Sequence, residues 1–168
     1  LLILSDDIYD NFVFDGPICP CIGQLYEKTL TFGGFSKGWA MTGWRLGYVA
    51  GPREILQQMI TLQQYTFSSV NSFAQKAAIK ALDFKVDSYI QGYKRKRDLI
   101  YEGLKEKFHV QEPKGAFYIL PEVPGADGEA FVEKAIKNNL FIVPGSVFSK
   151  RNTHVRISFA ASEETLMR

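Results

Sequence analysis

Residues 33–48 read GGFSKGWAMTGWRLGY and are the most informative part of this chain; we call them the lysine segment. The β-prone residues 29–32 lead into its two glycines, where the backbone can approach another group closely. Lys37 and Arg45 follow in apolar company. Apolar surroundings favour the neutral, nucleophilic form of a lysine amine, and a guanidinium is a planar fork suited to phosphate or carboxylate. Taken by themselves, these residues are read more readily as a plain glycine-rich turn with an exposed lysine.

The composition is that of a globular protein. Of the 168 residues, 46% are hydrophobic and 14% are aromatic, and the formal net charge is +2. The aromatic content excludes a disordered chain, and the near-neutral charge argues against a dedicated nucleic-acid-binding protein. No apolar run approaches the ~20 residues that a membrane-spanning helix needs, so we expect no contact with a membrane.

The placement of cysteine and histidine argues against a metal site. Cys19 and Cys21 are separated by one residue, which is too close for the Cys-x-x-Cys spacing of zinc or redox sites. His109 and His154 lie far from each other along the chain. We therefore predict no metal, reduced thiols in a loop, and a cytoplasmic location.

Both ends of the chain resemble interior segments of a longer protein. Residues 1–4, LLIL, lack an initiator methionine and the features of a signal peptide, and they are typical of a parallel strand buried on both faces. At the other end, Ser162 and the acids after it predict a helix that stops after about two turns. We expect a piece cut from a longer chain.

The hydrophobic pattern predicts an α/β part followed by a smaller α+β part. In the first part we expect parallel strands over residues 1–5, 29–32 and 44–50, a helix over 53–65, and a second helix from a Ser68 or Ser69 cap to Leu82. A long helix over residues 88–107 follows, with its basic run at 94–97 predicted to be a solvated face. The second part should hold a hairpin over 110–123, a helix over 129–139, and strands over 141–143 and 155–159.

Motifs in order along the chain resemble those of the class I and II aminotransferases, the aspartate-aminotransferase-like enzymes of fold type I that use pyridoxal 5'-phosphate. Ser36-Lys37 followed by MTGWRLGY at residues 41–48 is similar to the lysine signature of that family. The other motifs are SDDIY at 5–9, KGAFY at 114–118, PGSVF at 144–148 and VRISFA at 155–160. The resemblance implies the rear of the large cofactor-binding domain, a mostly parallel sheet with helices, in residues 1–87. It further implies a connecting helix in 88–107 and a small α+β domain, truncated at its C-terminus, in 108–168.

The resemblance gives three side chains roles at the cofactor ring. Lys37 would hold the cofactor as a Schiff base and, once displaced by substrate, shuttle a proton. Asp6 would pair with the pyridine nitrogen and keep it protonated, and Tyr9 would donate to the phenolate oxygen. These two roles require a turn between residues 6 and 9. Without the resemblance, Asp6 would be read as a strand-end cap and Tyr9 as a partly buried core tyrosine.

The same resemblance assigns the anion contacts. Arg45 would neutralise the cofactor phosphate together with groups around Ser36. Many family members carry a hydroxyl residue at the position of Gly34, so one phosphate contact is either missing in this chain or taken over by Ser36. The resemblance places both Gly34 and Ser36 among the cofactor-binding residues. Arg156 would bind the substrate α-carboxylate in a two-pronged pair, although alone it would be read as an exposed strand arginine.

The implied reaction transfers an amino group from an L-amino acid to a 2-oxo acid, in an enzyme that is a homodimer. Two alternatives stay open. One is another fold type I enzyme, such as a C–S lyase or an enzyme that forms aminocyclopropane carboxylate; the other is a non-catalytic fragment. The isolated chain is expected to be inactive, because the N-terminal half of the family supplies further phosphate and ring contacts.

Overall fold

The structure is a computed structural model that describes residues 1–18 and 20–168. The chain divides into two compact units, Leu1–Asp87 and Ser88–Arg168. Cys19, which the sequence places in a loop, lies outside the described residues, and Cys21 is a free thiol. No helix in the described ranges is long and apolar enough to cross a lipid bilayer. In the same ranges, no group of three or more His, Cys, Asp or Glu residues is placed to hold a metal ion.

A sheet with the order β1-β2-β3 organises the first unit. Strand β1 (Ile3–Asp6) runs parallel to β2 (Thr29–Gly34), and β2 runs antiparallel to β3 (Gly47–Ala50). The predicted parallel arrangement is therefore confirmed for β1 and β2 and is wrong for β3. Residues 35–46 contain no crossover helix that would return the chain to the far end of the sheet, so β3 runs back along β2.

Two expectations for these strands are corrected. Strand β3 begins at Gly47 rather than residue 44, because Thr42–Trp44 form a 3-10 turn that ends at Arg45 in a left-handed conformation. Strand β1 is not buried on both faces among the described residues. Its side chains alternate, and the face that carries Ser5 is covered whereas Leu4 on the other face is 65% exposed.

Helices α1 (Ile22–Leu25), α2 (Arg53–Thr66) and α3 (Ser72–Leu82) complete the elements of this unit. Helix α2 starts directly after Pro52, as predicted. The cap of α3 is Asn71 rather than Ser68 or Ser69, because the Asn71 side chain accepts a hydrogen bond from the backbone N–H of Phe73 at 3.1 Å. A buried cluster fixes the lysine segment to α3; it consists of Phe35, Leu46 and Ala78, with Trp39, Met41, Val70 and Ala81 packed against it.

The second unit is built from the long helix α4 (Asp87–Leu104), β4 (Tyr118–Ile119), α5 (Gly128–Lys137), β5 (Val143–Pro144), β6 (Val155–Ser158) and α6 (Glu163–Met167). Its antiparallel sheet has the order β4-β6-β5. Asp127 caps α5 and Ser162 caps α6, the latter as predicted. The core of this unit consists of Val123, Val132, Ala135, Ile142 and Val155.

The predicted hairpin over residues 110–123 is wrong. Strand β4 pairs with β6, where Tyr118 lies opposite Ser158, and residues 110–113 form no strand. The predicted strand over residues 141–143 is displaced to Val143–Pro144, because Val143 is the residue that pairs with Arg156 of β6. Pairing between distant segments, rather than between neighbours, therefore forms this sheet.

The basic run at residues 94–97 is not a fully solvated face. The side chain of Arg97 is only 2% exposed. Its Nε donates to Asp98 Oδ1 at 2.6 Å, and its Nη1 donates to the carbonyl oxygen of Pro113 at 2.6 Å. Nη1 also lies 3.4 Å from Glu112 Oε1. Arg97 thus ties α4 to the segment that leads into β4.

Candidate active site

The candidate site of the first unit forms at one edge of its sheet. Asp6 is the last residue of β1 and pairs with Phe32 of β2, and β2 itself ends at Gly34. Because the carboxyl ends of parallel strands meet at the same edge, the segments that follow the two strands lie side by side. Gly38 demonstrates this contact, since a Cβ at that position would lie 3.0 Å from Asn11 Nδ2.

The segment after β1 folds into the turn that the roles of Asp6 and Tyr9 require. The N–H of Asp7 donates to the carbonyl of Phe32 at 2.8 Å, which continues the strand pairing by one residue. The backbone then turns, with Asp10 N–H donating to Asp7 O at 3.1 Å and Phe12 N–H donating to Tyr9 O at 2.8 Å. The exposed Asp6 carboxylate accepts a hydrogen bond from the N–H of Ile8 at 3.3 Å, so it does cap the strand end.

The segment after β2 presents Lys37 on a tight turn. Phe35 N–H donates to Leu46 O at 3.3 Å, and Ala40 N–H donates to Lys37 O at 3.1 Å. The buried side chains of Phe35 and Leu46 anchor both ends of this turn. Lys37 is half-buried, and its Nζ lies 5.7 Å from the centroid of the Tyr9 ring. The fold therefore brings together the two residues that the sequence suggests as catalytic.

Gly34, the last residue of β2, lies close to the segment that follows β1. A Cβ at this position would lie 3.0 Å from Ile8 Cδ1 and 3.3 Å from the carbonyl oxygen of Leu46. Both distances are tighter than ordinary van der Waals contact, so this backbone position favours glycine. Packing against Ile8 gives a physical reason for the missing hydroxyl side chain that many family members carry here.

Ser36 and Arg45 retain hydrogen-bonding capacity. Among the described residues, no group forms a hydrogen bond with the Ser36 hydroxyl and no carboxylate forms an ion pair with Arg45. Arg45 is exposed and donates from Nη1 to the carbonyl oxygen of Thr42 at 3.0 Å. Its backbone has φ 51 and ψ 49 in the left-handed region. Arg45 lines one cavity, whereas Asp6 and Tyr9 line another.

Tyr48 is a residue of this site that the sequence interpretation passes over. It lines both cavities, and a Cβ on Gly33, its partner in the β2–β3 register, would overlap its ring. Partial burial, followed by the negative charges of Asp10 and Asp7, raises the pKa of the Tyr48 phenol above its usual value. Gly33 and Gly34 were the sequence signal for this contact, because a glycine inside a strand indicates that another group lies close to the backbone there.

Arg156 lies in the second unit, on β6. Its Cζ lies 4.0 Å from the ring centroid of Phe148 and 4.4 Å from that of Tyr118. No carboxylate in the described part of the chain forms an ion pair with it. The guanidinium is therefore held by aromatic rings, with its N–H donors available to an anion.

The residues present suit pyridoxal 5'-phosphate, the cofactor that the resemblance implies. Lys37 offers an amine beside the Tyr9 phenol, and Asp6 offers a carboxylate for a protonated ring nitrogen at the same sheet edge. The uncommitted Ser36 hydroxyl and the Arg45 guanidinium have the donor chemistry that a phosphate dianion needs. The donor set of the first unit is therefore compatible with this cofactor.

Comparisons with known proteins agree with this chemistry. The family model for aminotransferase class I and II matches residues 1–168. The chain is 40% identical over 179 residues to aromatic-amino-acid aminotransferase 2 of Thermococcus litoralis and 37% identical over 177 residues to a probable aspartate aminotransferase of Methanocaldococcus jannaschii. These alignments cover 99% of this chain, but 46% and 47% of the relatives. The chain thus spans about half the length of the curated relatives it matches.

A solved structure gives the same result for the fold. The aromatic aminotransferase of Pyrococcus horikoshii superposes with a TM-score of 0.94 at 37% identity, over 99% of this chain and 48% of that one. The predicted fold class, a mixed α/β portion of a fold type I enzyme, is confirmed. The family that the motifs suggested is confirmed as well: this chain belongs to the class I and II aminotransferases.

Proposed function

We propose that this chain is part of an aminotransferase that uses pyridoxal 5'-phosphate to move an amino group from an L-amino acid to a 2-oxo acid. The observation that carries the proposal is the position of Lys37. Its Nζ lies 5.7 Å from the Tyr9 ring, on a turn at the sheet edge where β1 ends in Asp6. An amine, a phenol and a carboxylate at one edge are the groups that this chemistry needs.

Lys37 has two tasks in this proposal. When bound, the cofactor supplies an aldehyde that condenses with amines and a ring that withdraws electrons from the substrate Cα. Lys37 binds the cofactor covalently, and its freed amine then takes a proton from the substrate Cα and returns it at another atom. The placement of Lys37 supports both tasks, because the turn closed by the hydrogen bond from Ala40 N–H to Lys37 O holds this partly buried side chain over the Tyr9 ring.

The other residues bind and orient. Tyr9 donates a hydrogen bond to the cofactor's phenolate oxygen, and Asp6 pairs with its ring nitrogen. Ser36 and Arg45 bind its phosphate beside the backbone of Gly34. Arg156 binds the α-carboxylate of the substrate and so fixes which bond at Cα faces the ring.

The organisation of the whole protein belongs to the same proposal. We assign residues 1–87 to the rear of the large domain, residues 88–107 to the connecting helix and residues 108–168 to the small domain. The unit boundary between Asp87 and Ser88 supports this division. The complete protein would be a cytoplasmic homodimer that takes an amino acid and a 2-oxo acid in turn; the free thiol of Cys21 is compatible with that location.

The test is covalent trapping in the full-length protein. Borohydride treatment of the cofactor-loaded protein should fix the cofactor on the peptide that contains Lys37. The Lys37→Ala variant should lose the visible absorbance of the bound cofactor and all turnover. Lys28→Ala, at an exposed lysine in the same unit, serves as the control and should behave as the wild type. An adduct on another lysine, or an unchanged spectrum in Lys37→Ala, would contradict the assignment.

A half-reaction distinguishes aminotransfer from lyase chemistry. Mixing the protein with an amino acid alone should yield pyridoxamine 5'-phosphate in an amount equal to the enzyme, because the amino group stays on the cofactor until an oxo acid arrives. Continuous release of ammonia and an oxo acid without an acceptor would contradict the proposal in favour of a lyase.

A further inference from the structure

The Arg156 guanidinium is oriented by aromatic rings instead of by carboxylates. Phe148 and Tyr118 lie 4.0 and 4.4 Å from its Cζ, within the range in which a cation is attracted to the face of a ring. A carboxylate partner would also fix a guanidinium, but it would occupy the N–H donors that bind an anion. Aromatic faces orient the group without occupying those donors.

The position of Tyr118 follows from the strand register. Tyr118 lies opposite Ser158, and Ser158 lies two residues along β6 from Arg156 on the same face. Tyr118 and Arg156 are therefore diagonal neighbours, a spacing within reach of long and aromatic side chains. The ring centroids of Tyr118 and Phe117 lie 4.8 Å apart, and Phe117 stacks on Tyr93 of α4 at 5.7 Å.

Phe148 reaches Arg156 through a turn that depends on Gly145. The N–H of Gly145 donates to the carbonyl of His154 at 2.7 Å, and a Cβ at Gly145 would lie 2.8 Å from that oxygen. The turn then closes with Phe148 N–H donating to Gly145 O at 2.9 Å. This close approach brings the start of the turn against the end of the loop that leads into β6.

Phe148 is not held in place as a core residue. It is 49% exposed, although its ring contacts the guanidinium. A half-exposed phenylalanine gains less free energy from burial than a core residue does. The contact with the Arg156 guanidinium therefore accounts for a larger share of what holds the Phe148 ring in place. Arg156 itself is only partly buried.

We infer that Phe148 and Tyr118 are positioning residues that hold the Arg156 guanidinium ready for the carboxylate of the amino acid and of the oxo acid. The inference rests on the proposed function, in which Arg156 binds that carboxylate. The rings act on the substrate only through Arg156. Their removal therefore weakens recognition of the carboxylate and leaves the chemistry at Lys37 intact.

The experiment uses the full-length protein with the variants Phe148→Leu and Tyr118→Leu. We expect each to lower kcat/KM for the amino acid about 3- to 10-fold, mainly through KM, as the loss of one cation–π contact implies. Phe148→Tyr and Tyr118→Phe keep the ring and should stay within about twofold of the wild type. Phe141→Leu, at a phenylalanine that is 81% exposed, is the matched control and should have no effect.

A substrate without a carboxylate separates positioning from general damage. The single-turnover rate with 2-phenylethylamine should be the same in the leucine variants and in the wild type, because this amine offers nothing to Arg156. In an Arg156→Ala background, Phe148→Leu should have no further effect on the amino acid reaction. Equal slowing of the amine and the amino acid in the leucine variants would overturn the inference.

A spectroscopic readout tests the contact without turnover. In protein labelled with ¹⁵N at arginine, the Arg156 side-chain signal, assigned by its loss in Arg156→Lys, should be displaced by the ring currents of both aromatics. It should move toward the position of a solvated arginine in each leucine variant. An unmoved signal in both variants would overturn the inference and leave the proposed function standing. Absence of aminotransfer in the wild type, or full activity in Lys37→Ala, would overturn the proposed function and this inference with it.

Discussion

Replacement of Arg97 by methionine should loosen the connection between α4 and the segment before β4. The arginine is 2% exposed, and its polar contacts include Asp98, Glu112 and the carbonyl of Pro113. Methionine keeps most of the aliphatic volume, so the main loss is polar. The variant therefore isolates the contribution of the guanidinium from that of side-chain packing.

The expected magnitude follows from these contacts. A hydrogen bond from a charged donor to a carbonyl contributes about 1.5–3 kcal/mol. Asp98 and Glu112 are about half-exposed, at 48% and 49%, so water solvates both after the substitution. Each of those ion pairs then contributes at most about 1 kcal/mol. We expect a loss of about 3 kcal/mol in the free energy of local opening.

Hydrogen exchange followed by mass spectrometry on the full-length protein measures this opening. Because 1.4 kcal/mol corresponds to a factor of about ten, the Glu122 amide, which donates to the carbonyl of His109 in this segment at 2.9 Å, should exchange about 100-fold faster in Arg97→Met. Arg95→Met, at an exposed arginine two positions earlier on α4, should change exchange little. Equal effects of the two variants, or unchanged exchange of the Glu122 amide, would refute the reasoning.

Two further predictions concern the first unit. The raised pKa of Tyr48, caused by burial and by Asp10, favours its protonated phenol in the folded state. Its contribution to stability should be complete below the usual tyrosine pKa of 10.0 and should be lost as the pH rises through the folded-state value. A difference titration of tyrosine absorbance between the wild type and Tyr48→Phe checks this, and Asp10→Asn should lower the pKa of Tyr48. Separately, Asn71→Ala should destabilise α3 by about 1 kcal/mol in urea denaturation, because the N–H of Phe73 loses its cap, whereas Asn71→Asp should be nearly neutral.

Local signals predicted the local elements. Pro52 correctly indicated the start of α2, and Ser162 correctly indicated the start of α6, since a fixed φ and a capping hydroxyl act on neighbouring residues. The family followed from motif order across the chain. Lys37 and Tyr9 could be paired from their motifs alone, although the turn that brings them together became visible only in the structure.

Features that depend on distant partners were missed. Residues 110–113 and β4 are adjacent in sequence, which suggested a hairpin, but Tyr118 pairs instead with Ser158, forty residues away. Arg97 was read as part of a solvated face, because charge pattern alone does not show that Pro113 O lies within hydrogen-bonding distance. The aromatic contacts of Arg156 likewise join side chains from separate motifs.

The left-handed backbone of Arg45 has a consequence for how this position can vary. An L-residue with φ 51 and ψ 49 carries a conformational penalty of about 1–2 kcal/mol that glycine does not carry. Glycine there would relieve the strain and give up the guanidinium that we assign to the phosphate. Stability and ligand binding therefore select different residues at position 45. On stability alone glycine would be favoured at this position, so the assigned phosphate contact would have to offset the conformational cost of arginine here.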